Sequence, residues 1–306
     1  MYLLGVSSAF LIQTEESRLW NFPQVHRPIQ KWISHIERTR PVMKTSLTAD
    51  IRRGDETQVL LRLQNDGVLP DDYVAISTND ALRGDIVAAI LKHRLFATPE
   101  EQIRRLLEIN EQVWKDASIT EVAIHAIGDA PEAPASDEAG LYCVALLAET
   151  GDAVKTFERN WAACVHVHGV DKTWKWDGLL FTPQGVKSRA DAKPRPVGLR
   201  WAIAELGRAY QNQAVEQARP ALDAKSVMGM GRELPLIGAL HPKWATAMNG
   251  AKIPFVDAPD LAVAASGRGD FGYAPCLGFG RDNGEVDLVA LQVAYPYPSF
   301  GSGSLR

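Results

Sequence analysis

Two histidines, His166 and His168, are the residues whose type and spacing most directly suggest chemistry in this chain. If the segment around them is a β-strand, both side chains project from one face, because successive side chains of a strand alternate between faces. Two imidazoles on one face are a common start for a metal site, and Asp171 follows as a carboxylate ligand. The spacing therefore predicts a divalent metal (zinc, manganese or iron) held by His166, His168 and Asp171.

The residues that follow add groups that a metal-dependent reaction needs. Asp177 supplies a carboxylate suited to a general base or a further ligand, and Lys175 supplies a cation that would stabilise developing negative charge. We therefore predict a metal-dependent enzyme of the hydrolase type that acts on a small or phosphorylated substrate. The same segment leaves an alternative open, since it continues from AVKTFERNWAACV. If it is a helix, the rings of His166 and His168 diverge.

Residues 171–200 form a second feature, in which basic and aromatic residues are interleaved. Seven lysines and arginines stand against three aspartates there, in a chain whose net charge is −4. Cationic groups bind phosphates and aromatic rings stack on bases, so this composition suits a nucleic acid or a substrate anion. The predicted contact residues are Lys172, Trp174, Trp176, Lys187, Arg189 and Arg195. The alternative function is therefore a non-catalytic RNA-binding or assembly subunit, and the other interpretation of the segment is a solvated loop.

The composition of the chain bounds its class. Its 306 residues, 46% of them hydrophobic and 23% charged, are typical of a globular protein of one or two domains. The slightly negative charge gives no general attraction to nucleic acids or acidic membranes. The three cysteines lack paired spacing, the start lacks the features of a signal peptide, and no apolar run approaches the roughly 20 residues of a membrane span. These features predict a cytoplasmic protein without a membrane partner.

Several common catalytic signatures are missing from the sequence. It contains no P-loop, no GxSxG nucleophile elbow, no HExxH and no CxxC. Each of these motifs places a nucleophile, a metal or a phosphate at a fixed local geometry. The chain therefore carries none of the local signatures of P-loop nucleotidases, α/β-hydrolases, HExxH metalloproteases or thiol oxidoreductases.

Periodicity predicts an α+β protein with two lobes. The first, residues 1–127, has a helix pair and a layer of strands; residues 128–139 form an acidic linker or loop rich in proline and alanine. In the first lobe, the predicted order of elements is strand, helix, two strands, helix pair and strand. This order resembles a ferredoxin-like βαββαβ unit with an inserted helix. The predicted strands are 2–13, 57–64, 71–77 and 120–128, and the predicted helices are 28–38, 82–93 and 99–114. The last of these helices has Thr98 as its cap and Pro99 at its first position.

The second predicted lobe, residues 140–306, is rich in strands around one long helix. The run GLYCVALLAE predicts a strand, the run from Gly198 predicts the long helix, ended by Pro220, and VDLVALQVAY predicts a late strand. The tail YPYPSFGSGSLR is rich in proline and glycine. It is the basis of a third interpretation, a structural homo-oligomer in which the tail packs against another copy.

Overall fold

A computed structural model of the chain describes residues 94–136, 139–267 and 269–306. The elements predicted between residues 2 and 93, and with them the ferredoxin-like arrangement, lie outside the described residues. What is described combines helices with one antiparallel and one mixed sheet, which confirms the predicted α+β class. In these residues, no helix combines the length and the apolar character that a bilayer crossing requires.

Six α-helices and eleven strands are interspersed along the described chain. The helices are α1 (Pro99–Ile109), α2 (Glu121–Ala126), α3 (Ala153–His168), α4 (Val215–Ala224), α5 (Leu234–Leu240) and α6 (Pro242–Ala247). The strands are β1 (Tyr142–Glu149), β2 (Thr173–Lys175), β3 (Val186–Ser188), β4 (Gly198–Glu205), β5 (Met228–Gly229), β6 (Phe255–Asp257), β7 (Leu261–Val263), β8 (Tyr273–Gly280), β9 (Glu285–Gln292), β10 (Phe300–Ser302) and β11 (Ser304–Leu305).

Two sheets organise these strands. The first is antiparallel, in the order β1-β4-β11-β5. In the second, β8 pairs with β9 along its whole length and with β6 and β7 through separate residues. Strands β10 and β2 join β6 and β9 in parallel, and β3 joins β7. Helix α5 contacts both β1 and β8, and all seven of its residues are buried, so the core lies around this helix.

Helix α1 forms where the sequence predicts it, because its start signals act together. The Thr98 side chain accepts a hydrogen bond from the backbone N–H of Glu101, and the Glu101 side chain accepts one from the N–H of Thr98. This reciprocal capping box satisfies two donors that a helix start leaves free. Proline at position 99 lacks only an N–H that would have no partner within the helix. The helix ends in a π-helical turn, Asn110–Trp114.

Two of the predicted elements are wrong. Residues predicted as the strand 120–128 contain α2, which begins at Glu121 after a Thr120 cap. The long helix predicted from Gly198 is instead β4, paired residue by residue with β1, and the helix in this region is the shorter α4, which contains Pro220. Apolar residues occur on both faces of β4, with Leu199, Trp201 and Ile203 on one face and Ala202 and Ala204 on the other, and such a run resembles a buried helix.

The tail predicted for contact with another copy is part of this chain's own sheets. Strand β10 pairs with β6, and β11 lies between β4 and β5. The segment predicted as a linker has no regular secondary structure over residues 128–136. Helix α1, which precedes that segment, packs on β1, which follows it. The domain boundary at 128–139 stays a prediction.

The outer edge of β1 is covered by side chains. The Gln102 amide donates to the carbonyls of Val144 (3.0 Å) and Ala97 (3.3 Å), and its oxygen accepts from the N–H of Leu146 at 3.0 Å. The His241 Nε2–H also donates to Val144, while Nδ1 accepts from the N–H of Ala97. Burial lowers the pKa of His241 to about 3, so its ring is neutral. These two side chains form hydrogen bonds with main-chain groups at the edge of β1, where another strand could otherwise pair.

Replacing Gln102 by leucine is expected to lower the free energy of unfolding by about 2 kcal/mol, because it leaves the buried N–H of Leu146 without a partner. Urea denaturation measures this loss. Arg104→Leu introduces the same side chain at an exposed position of α1 and is expected to change stability little. Equal effects of the two variants would contradict the role given to Gln102.

Candidate functional site

His166 and His168 lie at the end of α3, so the strand predicted for them is wrong and the helical alternative is right. Asp152 caps this helix, and Phe157, Trp161 and Cys164 form its buried stripe at helical spacing. Side chains two residues apart on a helix do not face each other. The two imidazoles therefore point away from a common ligand.

The surroundings of the two histidines differ as well. His168 is half-buried, its Nε2 lies 3.2 Å from the carbonyl of Gly238, and burial lowers its pKa. His166 is exposed, and so is Asp171, in the turn after the helix. Within residues 94–136, 139–267 and 269–306, no three histidine, cysteine, aspartate or glutamate side chains form a group that could hold a metal ion.

Lys175 and Asp177, the predicted catalytic pair, lie on and just after β2. The Lys175 ammonium donates to the carbonyls of Leu179 (2.8 Å) and Trp176 (3.3 Å), and it lies over the ring of Phe181. Burial lowers its pKa. Asp177 is exposed. Lys175 therefore stabilises the turn that follows β2.

The basic and aromatic side chains predicted for nucleic acid do not form one surface. Trp176 is buried and Trp174 half-buried, while Lys172 is exposed on the turn before β2. The Lys187 ammonium lies 3.7 Å from the centre of the Phe271 ring. Arg189 pairs with two aspartates, Asp191 at 2.8 Å and Asp223 at 3.5 Å. RNA binding through this segment stays a prediction.

Arg195 is the predicted contact residue whose surroundings point to a site. Its side chain is only 4% exposed and forms ion pairs with Glu233 (2.7 Å) and Asp260 (3.0 Å). It also donates to the carbonyls of Gly229 and Lys193. Burial alone would lower the pKa of Arg195, but the two carboxylates outweigh that effect and raise it.

Two further arginines extend this cluster. Arg232 donates to Glu149 at 2.6 Å and to the Ser188 hydroxyl at 3.2 Å. Arg200 lies 3.5 Å from Glu233, and burial lowers its pKa. The Nη1 group of Arg200 is buried without a hydrogen-bond partner among the residues that the structure describes. The cluster therefore holds a buried donor that its own acceptors do not satisfy.

A cavity of about 280 Å³ opens beside this cluster. Its walls come from the loop between β1 and α3, the end of β3, the loop between β3 and β4, the residues before α5, and the start of β7. The polar and charged lining residues are Ser188, Lys193, Arg195, Arg232 and Asp260. Three cations and one carboxylate thus face the cavity.

Two of the lining cations keep donors free for a ligand. Lys193 has no acidic partner among the described residues. Arg232 uses Nε and Nη1 for Glu149 and Ser188, and its Nη2 has no protein acceptor in the described part of the chain. The hydroxyl of Ser188 accepts from Arg232, which leaves its own hydrogen to donate. The cavity can therefore offer three donors to an anion.

Most of these residues were missed by sequence reasoning, which singled out only Arg195. The partners are far apart in the chain: Arg232 and Glu149 are separated by 83 residues, and Arg195 and Asp260 by 65. No local spacing connects them, so no motif could have found them. The one usable signal was the excess of basic residues over residues 171–200.

Comparison with known proteins identifies no relative whose site could be compared with this one. The chain matches no protein-family model, no curated protein and no solved structure.

Proposed function

We propose that this chain binds a small molecule carrying a phosphate or carboxylate group in the cavity beside Arg195 and Arg232. The observation that carries the proposal is the set of free donors in the lining, namely the Lys193 ammonium, the Nη2 group of Arg232 and the Ser188 hydroxyl. An anion in the cavity can accept hydrogen bonds from these groups, and bonds from charged donors are stronger than those from neutral donors.

Each donor has a distinct role in the proposed complex. Arg232 is fixed by Glu149, so its Nη2 is held in place before the ligand arrives. Ser188 donates its hydroxyl hydrogen to an anion oxygen. Lys193 supplies the mobile charge, because no described acidic group holds its ammonium. Two donors are thus preorganised and one adapts, which suits a compact anionic group on ligands of varied shape.

The size of the cavity limits the ligand. At about 280 Å³ it lies near the lower end of the roughly 300–1,000 Å³ that is typical of small-molecule sites. This space suits a metabolite-sized molecule.

The proposal keeps one part of the function predicted from the sequence, a small or phosphorylated substrate contacted by Arg195. Hydrolysis with zinc, manganese or iron at His166 and His168 stays a prediction, and the divergence of the two rings gives it no support. Among the lining residues, none of the described groups is arranged as a nucleophile with a general base. The proposal is therefore one of binding.

Calorimetric titration with inorganic phosphate and with a small phosphomonoester, at low ionic strength, tests this function. We expect binding of one anion per chain, and no binding of the matching uncharged alcohol. Lys193→Ala is expected to weaken the binding about tenfold, since a charge-assisted hydrogen bond contributes on the order of 1.5 kcal/mol.

Lys172→Ala is the matched control, because it removes an exposed lysine that does not line the cavity. Its affinity for the phosphomonoester should equal that of the wild type. Absence of saturable binding, or an equal loss in both lysine variants, would rule the proposed site out.

A further inference from the structure

The segment 193–197 forms one wall of the cavity and lies between β3 and β4. We call it the strap. Among the described residues, none of its main-chain groups pairs with the main chain of the rest of the protein. Two of its five residues, Pro194 and Pro196, have no N–H to donate. Main-chain hydrogen bonding therefore does not hold the strap in place.

Three of the five strap residues are exposed, and Lys193 is half-buried. Pro194, Pro196 and Val197 are exposed, and Val197 is 70% exposed. At its far end, Gly198 has a φ of +98°, a conformation that glycine adopts without strain. The strap thus joins β4 through a residue that can change its backbone angles at low cost.

Within the part of the chain that the structure describes, one side chain fastens the strap to the protein. Arg195 reaches inward to Glu233, to Asp260 and to the carbonyl of Gly229, and none of these three groups belongs to the strap. Its side chain is almost fully buried, while its neighbours in the chain are exposed. The attachment therefore depends on one guanidinium and two carboxylates.

We infer that Arg195 is the latch of a strap that opens and closes the cavity, which rests on the proposed function of the cavity as an anion site. When the latch is closed, Lys193 lies at the cavity wall. When Arg195 leaves Glu233 and Asp260, the strap moves outward between its two ends, with Gly198 taking up part of the change in backbone angles, and uncovers the space beside Arg232. An anion that contacts both Lys193 and Arg232 joins the strap to the wall of the cavity and favours the closed state.

The native cysteines make this inference testable with spin labels. All three, Cys143, Cys164 and Cys276, are buried. Cysteines introduced at two exposed positions, Val197→Cys on the strap and Val122→Cys on α2, can therefore be labelled selectively. Pulsed electron paramagnetic resonance of the doubly labelled full chain then measures the distance between strap and helix without any ligand.

We expect one narrow distance population with Arg195 present. In Arg195→Lys, which keeps the charge but loses the forked geometry, a second population is expected, with the displaced fraction increased about fivefold or more. Asp260→Asn leaves Glu233 in place, and serves as the milder variant if Arg195→Lys does not fold. Arg189→Lys, in the same loop outside the strap, should leave the distribution unchanged.

Unchanged distributions in folded Arg195→Lys and Asp260→Asn would overturn the latch, whether or not the cavity binds phosphate. A second population in the latch variants supports the strap even if the calorimetric titration shows no anion binding. In wild-type protein, phosphate should leave the closed population dominant. In Arg195→Lys, phosphate should shift the distance distribution back toward the closed population. If this variant binds phosphate without that shift, anion binding does not favour closure of the strap.

Discussion

Replacing Glu233 by glutamine is expected to lower the free energy of unfolding by about 3 kcal/mol or more, because breaking a buried ion pair leaves an uncompensated charge. Glu233 is 2% exposed and accepts from Arg195 at 2.7 Å, with Arg200 at 3.5 Å. Its other oxygen accepts from the N–H of Gly231 at 3.1 Å. In glutamine, an NH₂ group replaces one of the two carboxylate oxygens. It would face Arg195 or the N–H of Gly231, so that two donors meet without an acceptor between them.

Urea denaturation with far-ultraviolet circular dichroism measures this loss. Asp223→Asn is the matched control, since it also neutralises a carboxylate that pairs with an arginine, Arg189 at 3.5 Å. The Asp223 side chain is 52% exposed, and such surface pairs contribute only about 0–1 kcal/mol. If the two variants lost equal stability, the buried cluster would not contribute as its geometry indicates.

Replacing Leu305 by alanine is expected to lower the free energy of unfolding by about 2–5 kcal/mol, because it opens a cavity in the core. Leu305 is fully buried and lies between Ala204 on β4 and Met228 on β5. Both neighbouring strands lose packing when its side chain is shortened. A single substitution in β11 thus weakens the packing of both β4 and β5.

The same denaturation series tests this prediction against Val122→Ala. Val122 is 80% exposed on α2, so shortening it should change stability by no more than about 0.5 kcal/mol. A loss below about 1 kcal/mol in Leu305→Ala would mean that β11 is not part of the stable core. It would also favour the earlier interpretation in which the tail packs on another copy.

The elements that could be predicted from the sequence are those whose signals are local. Helix α1 has its capping box and proline within four residues, and β1 and β9 are short apolar runs of the length of a strand. The strand predicted for His166 and His168 is wrong because these residues continue a helix whose apolar stripe begins well before them. Phe157, Trp161 and Cys164 on that stripe were the better signal.

The candidate site could not be predicted because it depends on tertiary pairing. Arg195 could be singled out as one of several basic residues, but Glu149, Arg232 and Asp260 carry no local pattern that links them to it. Only the fold brings the β3–β4 loop against the residues before α5. The charge excess predicted an anion partner for this region, while its burial and its geometry are properties of the assembled sheets.

The position of β11 between β4 and β5 determines when the first sheet can be completed during synthesis. Strands β1 and β4 can pair early, but the first sheet stays incomplete until residues 304 and 305 have left the ribosome. Until then, the end of β4 at Ala204 and Glu205 lacks its partner strand, and such open edges promote association of nascent chains. A chain stalled before residue 304 should therefore depend on chaperones, while a chain that has released these residues closes its own sheet.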